Sequence, residues 1–243
     1  MSDATSSSAG SVILARIREA LRLPAPLPHM RSHVTDEVAA AGPAGLTILP
    51  VEVARPWLPD GGDTPAERIA LLTDNLGKLR AEVHRVADLA AAAETVSRIA
   101  AERSWRRVAW HGHDAVEPVA ASLGCDTYRL DAASFDKDAL ESCDAGITAC
   151  EAAVAQTGSI LVSSGTCGGR ALSILPHVHV VILAADQVVG TLGDAFDLVR
   201  DRFGGRMPSM LSLITGPSRT GDIERILVLG AHGPKELLVI LVG

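Results

Sequence analysis

The stretch Val178-His179-Val180-Val181-Ile182-Leu183 is an almost unbroken apolar run rich in β-branched residues. A short run of this kind, without alternation of polar and apolar residues, is typical of a strand buried on both faces in a parallel sheet. It is far too short for a membrane-spanning helix, which needs about 20 apolar residues. The run therefore predicts a buried strand over residues 177–183 and no membrane span.

On both sides of this run, strand-like segments alternate with helix-like segments. The predicted strands cover residues 83–86, 107–110, 126–130, 145–149, 159–163, 177–183, 211–215 and 237–242. The predicted helices cover residues 65–76, 88–103, 115–122, 135–142 and 192–202. Alternation with short connections predicts an α/β fold, in which a mostly parallel sheet carries helices on both faces.

The N-terminal part of the chain has a different character. Ser11 precedes a helical stripe of apolar residues that ends near Leu21, and the stretch from Pro24 to Asp63 is rich in Pro and Gly with weak periodicity. Such a long irregular stretch is unusual inside a compact domain. We therefore expect an N-terminal helix and arm over residues 1–62, followed by an α/β domain over residues 63–243.

The composition limits the class of protein. Lys and Arg number 22 against 29 Asp and Glu, a net charge of −7 spread along the chain, which argues against nucleic-acid binding. The first ten residues are polar and contain no apolar signal-peptide segment. The four cysteines form no Cys-x-x-Cys pair, so no metal or iron–sulfur site is expected in this chain. We expect a cytoplasmic protein with reduced thiols and no cofactor of its own.

Three loops carry polar residues that suit a ligand site. They are Gln156-Thr157-Gly158-Ser159, which we expect to be a helix-to-strand turn, Gly216 to Asp222, and Gly230-Ala231-His232-Gly233-Pro234. Ligands of parallel α/β sheets bind outside the carboxyl ends of the strands, and we expect all three loops at that edge.

The loop Gly216-Pro217-Ser218-Arg219-Thr220-Gly221-Asp222 is the most informative of the three. Its glycines allow a close approach of the backbone to a ligand, and we expect it to leave a strand and enter a helix, whose free N–H groups bind anions. Arg219 adds a planar cation that suits carboxylate or phosphate. The alternative is that Thr220 and Asp222 only cap that helix.

Histidine and arginine residues supply further candidates. His232 lies beside Gly233 and is a candidate acid, base or anion donor, or else a histidine bonded to a loop carbonyl. Arg170 follows two glycines and is either an anion ligand or a surface side chain. His177 and His179 share a strand face, yet no carboxylate lies near them in sequence, so we expect core or loop-bonded histidines rather than a metal pair.

An ordered set of motifs resembles the lactate-utilization protein C family, the LUD domain. The set consists of Gly146-Ile147-Thr148-Ala149-Cys150-Glu151-Ala152-Ala153, Thr157-Gly158-Ser159, Ser173-Ile174-Leu175-Pro176-His177-Val178-His179, Gly216-Pro217-Ser218-Arg219-Thr220-Gly221-Asp222-Ile223-Glu224 and Gly230-Ala231-His232-Gly233-Pro234. The motifs follow the family's order over roughly the last hundred residues of the chain, and their combination is more specific than any one of them.

The resemblance implies a fold like that of ribose-phosphate isomerase and CoA transferases. It also implies a role in a three-protein system that oxidises L-lactate to pyruvate, with iron–sulfur clusters in the partner proteins. A small anion would then bind at Thr157, Gly158, Ser159, Arg170, Gly216, Ser218, Arg219, Thr220 and Gly233, with His232, Glu151 and Asp222 as candidate catalytic residues.

One departure from the family pattern bears on catalysis. The family often has an acidic residue where this chain has Gln156, and an amide cannot act as the carboxylate nucleophile that CoA transferases of this fold use. Acyl transfer would then need Glu151 instead. Two other functions stay open from sequence alone, a stand-alone isomerase or transferase for a sugar phosphate or acyl-CoA, and a metabolite-sensing scaffold.

Overall fold

The computed structural model describes residue 16 and residues 59–131, 135–204, 206–220, 228–229 and 233–243, with residues 219–220 and 228–229 described by their backbone alone. Residues Pro56–Gly243 form one compact unit. The helix predicted near residues 11–21 lies outside the described residues except for Arg16, which is helical. The boundary expected at residues 62 and 63 stays a prediction.

The elements alternate along the chain as the sequence indicates. In chain order they are α1 (Pro65–Lys78), β1 (Glu82–Val86), α2 (Leu89–Glu102), β2 (Arg107–His111), α3 (Glu117–Ala121), β3 (Asp126–Leu130), α4 (Lys137–Glu141), β4 (Ala145–Ala149), β5 (Ala152–Val154), β6 (Ser159–Ser163), α5 (Ser164–Cys167), β7 (Val178–Ala184), β8 (Val188–Val189), α6 (Leu192–Phe203), β9 (Leu211–Ile214), β10 (Arg219–Thr220), β11 (Val228–Leu229) and β12 (Glu236–Val242).

Helix α1 begins where the sequence places a cap before a proline. The Thr64 side chain accepts the N–H of Glu67, and the Glu67 carboxylate accepts the N–H of Thr64 at 3.0 Å. Pro65 stands at the first turn, where its missing N–H costs nothing. The helix buries Leu72 and Leu76, two of the residues that its apolar stripe predicts to lie in the core.

The main sheet has six parallel strands in the order β1-β12-β7-β4-β2-β3. The apolar run over residues 178–183 is one of its central strands, and both faces are buried. Val180 and Ile182 pack with residues of α2 on one face, whereas Val181 and Leu183 pack on the other face with residues of α1 and β6. The α/β class and the mostly parallel sheet are confirmed.

A second sheet, which the sequence analysis does not anticipate, packs on the face opposite α2. Its four strands have the order β8-β5-β6-β9, with β6 antiparallel to both β5 and β9. The inner face of this sheet contributes Ala153, Ile160 and Val162 to the core, and α6 covers the outer face through Ala195 and Val199. The prediction that 156–159 is a helix-to-strand turn is wrong, because this segment joins two strands of a hairpin.

The prediction that a helix begins within residues 216–222 is also wrong for the described residues 219 and 220. Residues Arg219–Thr220 form β10, which pairs antiparallel with β11. Extended backbone that bonds to a neighbouring strand cannot present the free N–H groups of a helix N-terminus. None of the helices in the described ranges is long and apolar enough to cross a bilayer.

Candidate functional site

The three predicted loops do not meet at the carboxyl edge of the parallel sheet. Gly233 and Pro234 precede β12, so they lie at the amino ends of the parallel strands. The N–H of Ser218 donates to Pro234 O at 2.9 Å, and the N–H of Lys235 donates to His177 O at 2.8 Å, just before β7 begins. The expected position at the carboxyl edge is therefore wrong for the 216–218 and 233–234 segments.

The hairpin loop of the second sheet closes on the same region. Gly158 has φ +66°, and a Cβ there would lie 3.0 Å from Leu79 Cδ1 and 3.1 Å from Asn75 Cβ. Gly216 has φ +84°, and its added Cβ would lie 3.0 Å from Leu79 Cβ. Both loops thus pack against the end of α1 at positions where the positive φ favours glycine and an added Cβ would crowd its neighbours.

Hydroxyl groups link the two loops. Thr157 Oγ1 donates to Ser159 Oγ at 2.8 Å, and Ser159 Oγ lies 2.8 Å from Thr215 Oγ1, next to Gly216. Ser159 is 4% exposed, so its hydroxyl is bonded inside the protein. The structure brings together six of the predicted ligand-binding residues, which we name the amino-edge cluster: Thr157, Gly158, Ser159, Gly216, Ser218 and Gly233.

The amide of Gln156 has a structural contact. Its Nε2 donates to the carbonyl of Pro59 at 2.7 Å, and its backbone N–H donates to Gly190 O at 3.0 Å. The first bond ties the segment before α1 to the hairpin of the second sheet, and the second ties the hairpin to the residue after β8. Gln156, at the position where the family often has a carboxylate, therefore uses its side-chain amide in a hydrogen bond to the backbone.

Glu151 lies away from the amino-edge cluster, at the opposite end of the parallel strands. It follows β4 by two residues, is 3% exposed, and forms an ion pair with Arg202 of α6. Its other oxygen accepts a hydrogen bond from Ser163 Oγ at 2.5 Å. We name Glu151, Ser163 and Arg202 the carboxyl-edge cluster.

Sequence analysis missed Ser163 and Arg202. The arginine carries a signal in hindsight, because residues 195, 199 and 202 fall on one helical stripe, and Ala195 and Val199 are buried. A charged residue on a buried stripe indicates a charged partner beneath it. For Ser163, which caps α5 by accepting the N–H of Gly165 and Thr166, the sequence gives no separate signal.

The carboxyl-edge cluster stands beside the point where the strand order reverses. From β2 the chain moves outward to β3, then returns to β4 and continues to β7 and β12 on the other side, so the crevice between β2 and β4 is a topological switch point. Helix α5 reaches this crevice, since a Cβ at Gly168 would lie 2.7 Å from His111 Nδ1. Arg170 follows in the same loop and is exposed.

The cysteine thiols are structural donors. Burial raises the pKa of Cys167 to about 11, and its Sγ donates to Ser163 O and Gly169 O, each at 3.0 Å. Burial also raises the pKa of Cys150 and of Cys143, whose Sγ donates to Ala139 O at 3.3 Å. Within the described residues no three His, Cys, Asp or Glu side chains group as metal ligands.

The structure confirms a core position for one of the two strand histidines, His179. His179 is 1% exposed, and its Nε2 lies 2.9 Å from Thr148 Oγ1 of the neighbouring strand. Desolvation lowers the pKa of His179 to about 4, so the ring is neutral at physiological pH. His177 is exposed just before the same strand.

Part of the predicted site lies outside what the structure describes. His232 and Asp222 fall in that part, and Arg219 and Thr220 are placed by their backbone in β10. The roles expected of these four side chains stay predictions, as do the roles of the residues in the amino-edge cluster.

Comparison with known proteins supplies the family. A family model described as the LUD domain matches residues 69–242. Lactate utilization protein C of Bacillus subtilis (strain 168) is 36% identical over 105 residues, which make up 42% of this chain and 44% of that protein. The protein of the same name from Deinococcus radiodurans is 35% identical over 123 residues, 50% of this chain and 57% of that protein.

A solved structure agrees with these sequence matches. The crystal structure of a DUF162 family protein from Deinococcus radiodurans superimposes with a TM-score of 0.57 and 28% identity, covering 74% of this chain and 99% of that one. The matches to the two lactate utilization proteins span about half of their length. Because the LUD model extends over most of the 243 residues, as the ordered motifs predict, the chain belongs to the LUD domain family.

Proposed function

We propose that this LUD protein is a subunit of a three-protein system that oxidises L-lactate to pyruvate. The observation that carries the proposal is the match of the LUD domain over residues 69–242, together with relatives named lactate utilization protein C that are about one third identical. The subunit contributes ligand binding and contact with the partner proteins rather than electron transfer.

The buried thiols support this division of work. Oxidation of lactate to pyruvate removes two electrons, which a redox cofactor must accept. Cys143, Cys150 and Cys167 are fully buried, and among the described residues no three His, Cys, Asp or Glu side chains are grouped as metal ligands. We therefore assign the iron–sulfur clusters to the partner proteins.

The ligand of this subunit is proposed to be a small anion at the loops of residues 216–234. The support is the convergence of Gly216, Ser218 and Gly233 at one end of the sheet, where an added Cβ at Gly233 would lie 3.1 Å from Ser218 Cβ. Since the N–H of Ser218 is already bonded to Pro234, the anion would be bound by hydroxyl groups and by Arg219.

Stand-alone acyl transfer is a weaker alternative for this chain. The Gln156 amide is bonded to Pro59 O, and the Glu151 carboxylate is paired with Arg202 and Ser163. A nucleophilic carboxylate needs an oxygen that is open to substrate. Neither position supplies one, so the geometry favours the subunit role.

Reconstitution tests the proposal. Purified chain, mixed with L-lactate and an artificial electron acceptor, should give no pyruvate, and addition of the two partner proteins from the same organism should start turnover. Arg219→Ala should lower that turnover in the complete system. Arg98→Ala, at an exposed position on α2 that pairs with Glu102, should leave it unchanged. Full lactate oxidation by the isolated chain, or by the two partners without it, would contradict the proposal.

A further inference from the structure

The ion pair between Glu151 and Arg202 is asymmetric in its exposure. The Glu151 side chain is 4% exposed, whereas that of Arg202 is 46% exposed. The carboxylate is thus taken out of water while nearly half of the arginine side chain stays at the surface. Burial of a carboxylate costs free energy that a single hydrogen-bonded ion pair only partly returns.

Glu151 is held in place by a chain of bonds. Ser163 Oγ donates to its free oxygen at 2.5 Å, and the same Oγ accepts the N–H of Gly165 at 3.0 Å and of Thr166 at 3.3 Å. All of these partners belong to the end of β6 and the first turn of α5. These bonds orient the carboxylate independently of Arg202. The carboxylate in turn orients the guanidinium.

Arg202 uses only part of its hydrogen-bonding capacity. It pairs with Glu151 through Nη1, and in the described part of the chain no second partner is found for its Nη2 or Nε. The contrast is Arg103, whose two Nη atoms are taken by Glu82 and Glu236. A guanidinium that is oriented on one side and open on the other offers a fork of donors to solvent.

The surface arginines of the same fold show that this arrangement is specific. Arg200, on the same helix, pairs with Asp197, and both side chains are at least 60% exposed. If the only task at position 202 were to attach α6 to the second sheet, an apolar side chain continuing the stripe of Ala195 and Val199 would do it without a buried charge.

We propose that Arg202, oriented by Glu151, binds the carboxylate group of a small organic anion at the carboxyl edge of the sheet. The bound carboxylate accepts from the outward donors of the guanidinium, while Glu151 keeps Nη1. Glu151, which orients Arg202, follows β4, one of the two strands that flank the topological switch point where open parallel sheets bind ligands. The site lies apart from the amino-edge cluster and does not depend on the partner proteins.

Chemical protection on the native protein tests the site directly. Phenylglyoxal modifies exposed arginines, and the extent at each residue is read by mass spectrometry of peptides. Acetate or pyruvate at ten times its dissociation constant should slow modification of Arg202 about tenfold by mass action. Arg200, the more exposed arginine two residues earlier, is the matched control and should react at an unchanged rate. Equal rates at Arg202 with and without carboxylate, or stronger protection by inorganic phosphate, would overturn the assignment.

Conservative variants give an independent measurement. Arg202→Lys keeps a cation for Glu151 but loses the planar fork. We expect acetate and pyruvate to bind about tenfold more weakly at the carboxyl edge, as measured by NMR titration of the amide resonances of residues 163–169. Arg200→Lys should bind as the native protein does.

A single Arg202→Gln change would leave the Glu151 carboxylate buried without a cation and so risks unfolding. The double variant Glu151→Gln with Arg202→Gln removes both charges, should stay folded, and should lose binding at the carboxyl edge, read from the amide resonances of residues 163–169. Native affinity at those resonances in either Arg202→Lys or the double variant would refute the proposal.

Discussion

At the scale of single residues, His179 is buried in the core in its neutral form. His179 lies on the face of β7 opposite α2, bonded through Nε2 to Thr148 Oγ1, and no partner is found in the described structure for its buried Nδ1. Desolvation lowers its pKa to about 4, below the 6.5 of an exposed histidine. Because the folded protein binds this proton less readily than the unfolded chain, the folded state loses stability as the pH falls through the window from 6.5 to 4.

This linkage predicts a pH-dependent effect of one substitution. His179→Gln keeps a polar partner for Thr148 Oγ1 but has no proton to gain. We compare the free energy of unfolding of the variant with that of the native protein at each pH. Between pH 7 and pH 4.5 this difference should shift in favour of the variant by about 2 to 3 kcal/mol. Urea unfolding at the two pH values measures the difference. His177→Gln, two residues earlier and exposed, is the control and should show no comparable change. A change below about 1 kcal/mol between the two pH values for His179→Gln would contradict a buried neutral ring.

At the scale of secondary-structure elements, the helices were more predictable than the short strands. Thr64-Pro65 marks the start of α1 because the cap and the proline each have a local physical cause. The break between β4 and β5 has no such mark, since Cys150 and Glu151 interrupt a run of small apolar residues without glycine or proline. The second sheet was missed because its three-residue strand β5 follows β4 so closely.

Two glycines of neighbouring elements give opposite predictions. Gly158 in the β5–β6 hairpin has φ +66° and sits against Leu79 and Asn75, so Gly158→Ala should destabilise the fold by about 1 to 3 kcal/mol. Gly77 in α1 has open space around it, so Gly77→Ala should stabilise the fold by about 0.5 to 1 kcal/mol. Thermal or urea unfolding of the two variants compares them directly. Equal effects of the same sign would show that the hairpin does not require the left-handed conformation.

At the scale of the whole molecule, the α/β class and the parallel sheet follow from the sequence, but the assembly of the site does not. Chain direction alone places Gly233 and Pro234 at the amino end of β12, and that inference was available from the order of the elements. The pairing of Glu151 with Arg202 could not be found from sequence spacing, because 51 residues and several elements separate them. The contact of residues 157–159 with Gly216 could not be predicted either, because it depends on the second sheet.

The two sheets share one core, and this predicts that they unfold together. Ile160 and Val162 of β6 pack in the same cluster as Val181 and Leu183 of β7, so loss of either sheet would expose the other. In native-state hydrogen exchange, the slowest amides of β6 and β7 should open with the same free energy, within about 1 kcal/mol. Ile160→Ala, which removes buried apolar volume at this contact, should lower the protection of both strands equally, by about 2 to 5 kcal/mol. Leu140→Ala, in the separate cluster beneath α4, is the matched control for a substitution away from this contact. Because one cooperative unit loses stability as a whole, each variant should lower the protection of β6 and of β7 by the same amount. Loss of protection in β6 with β7 unchanged would instead divide the domain into two units that fold separately.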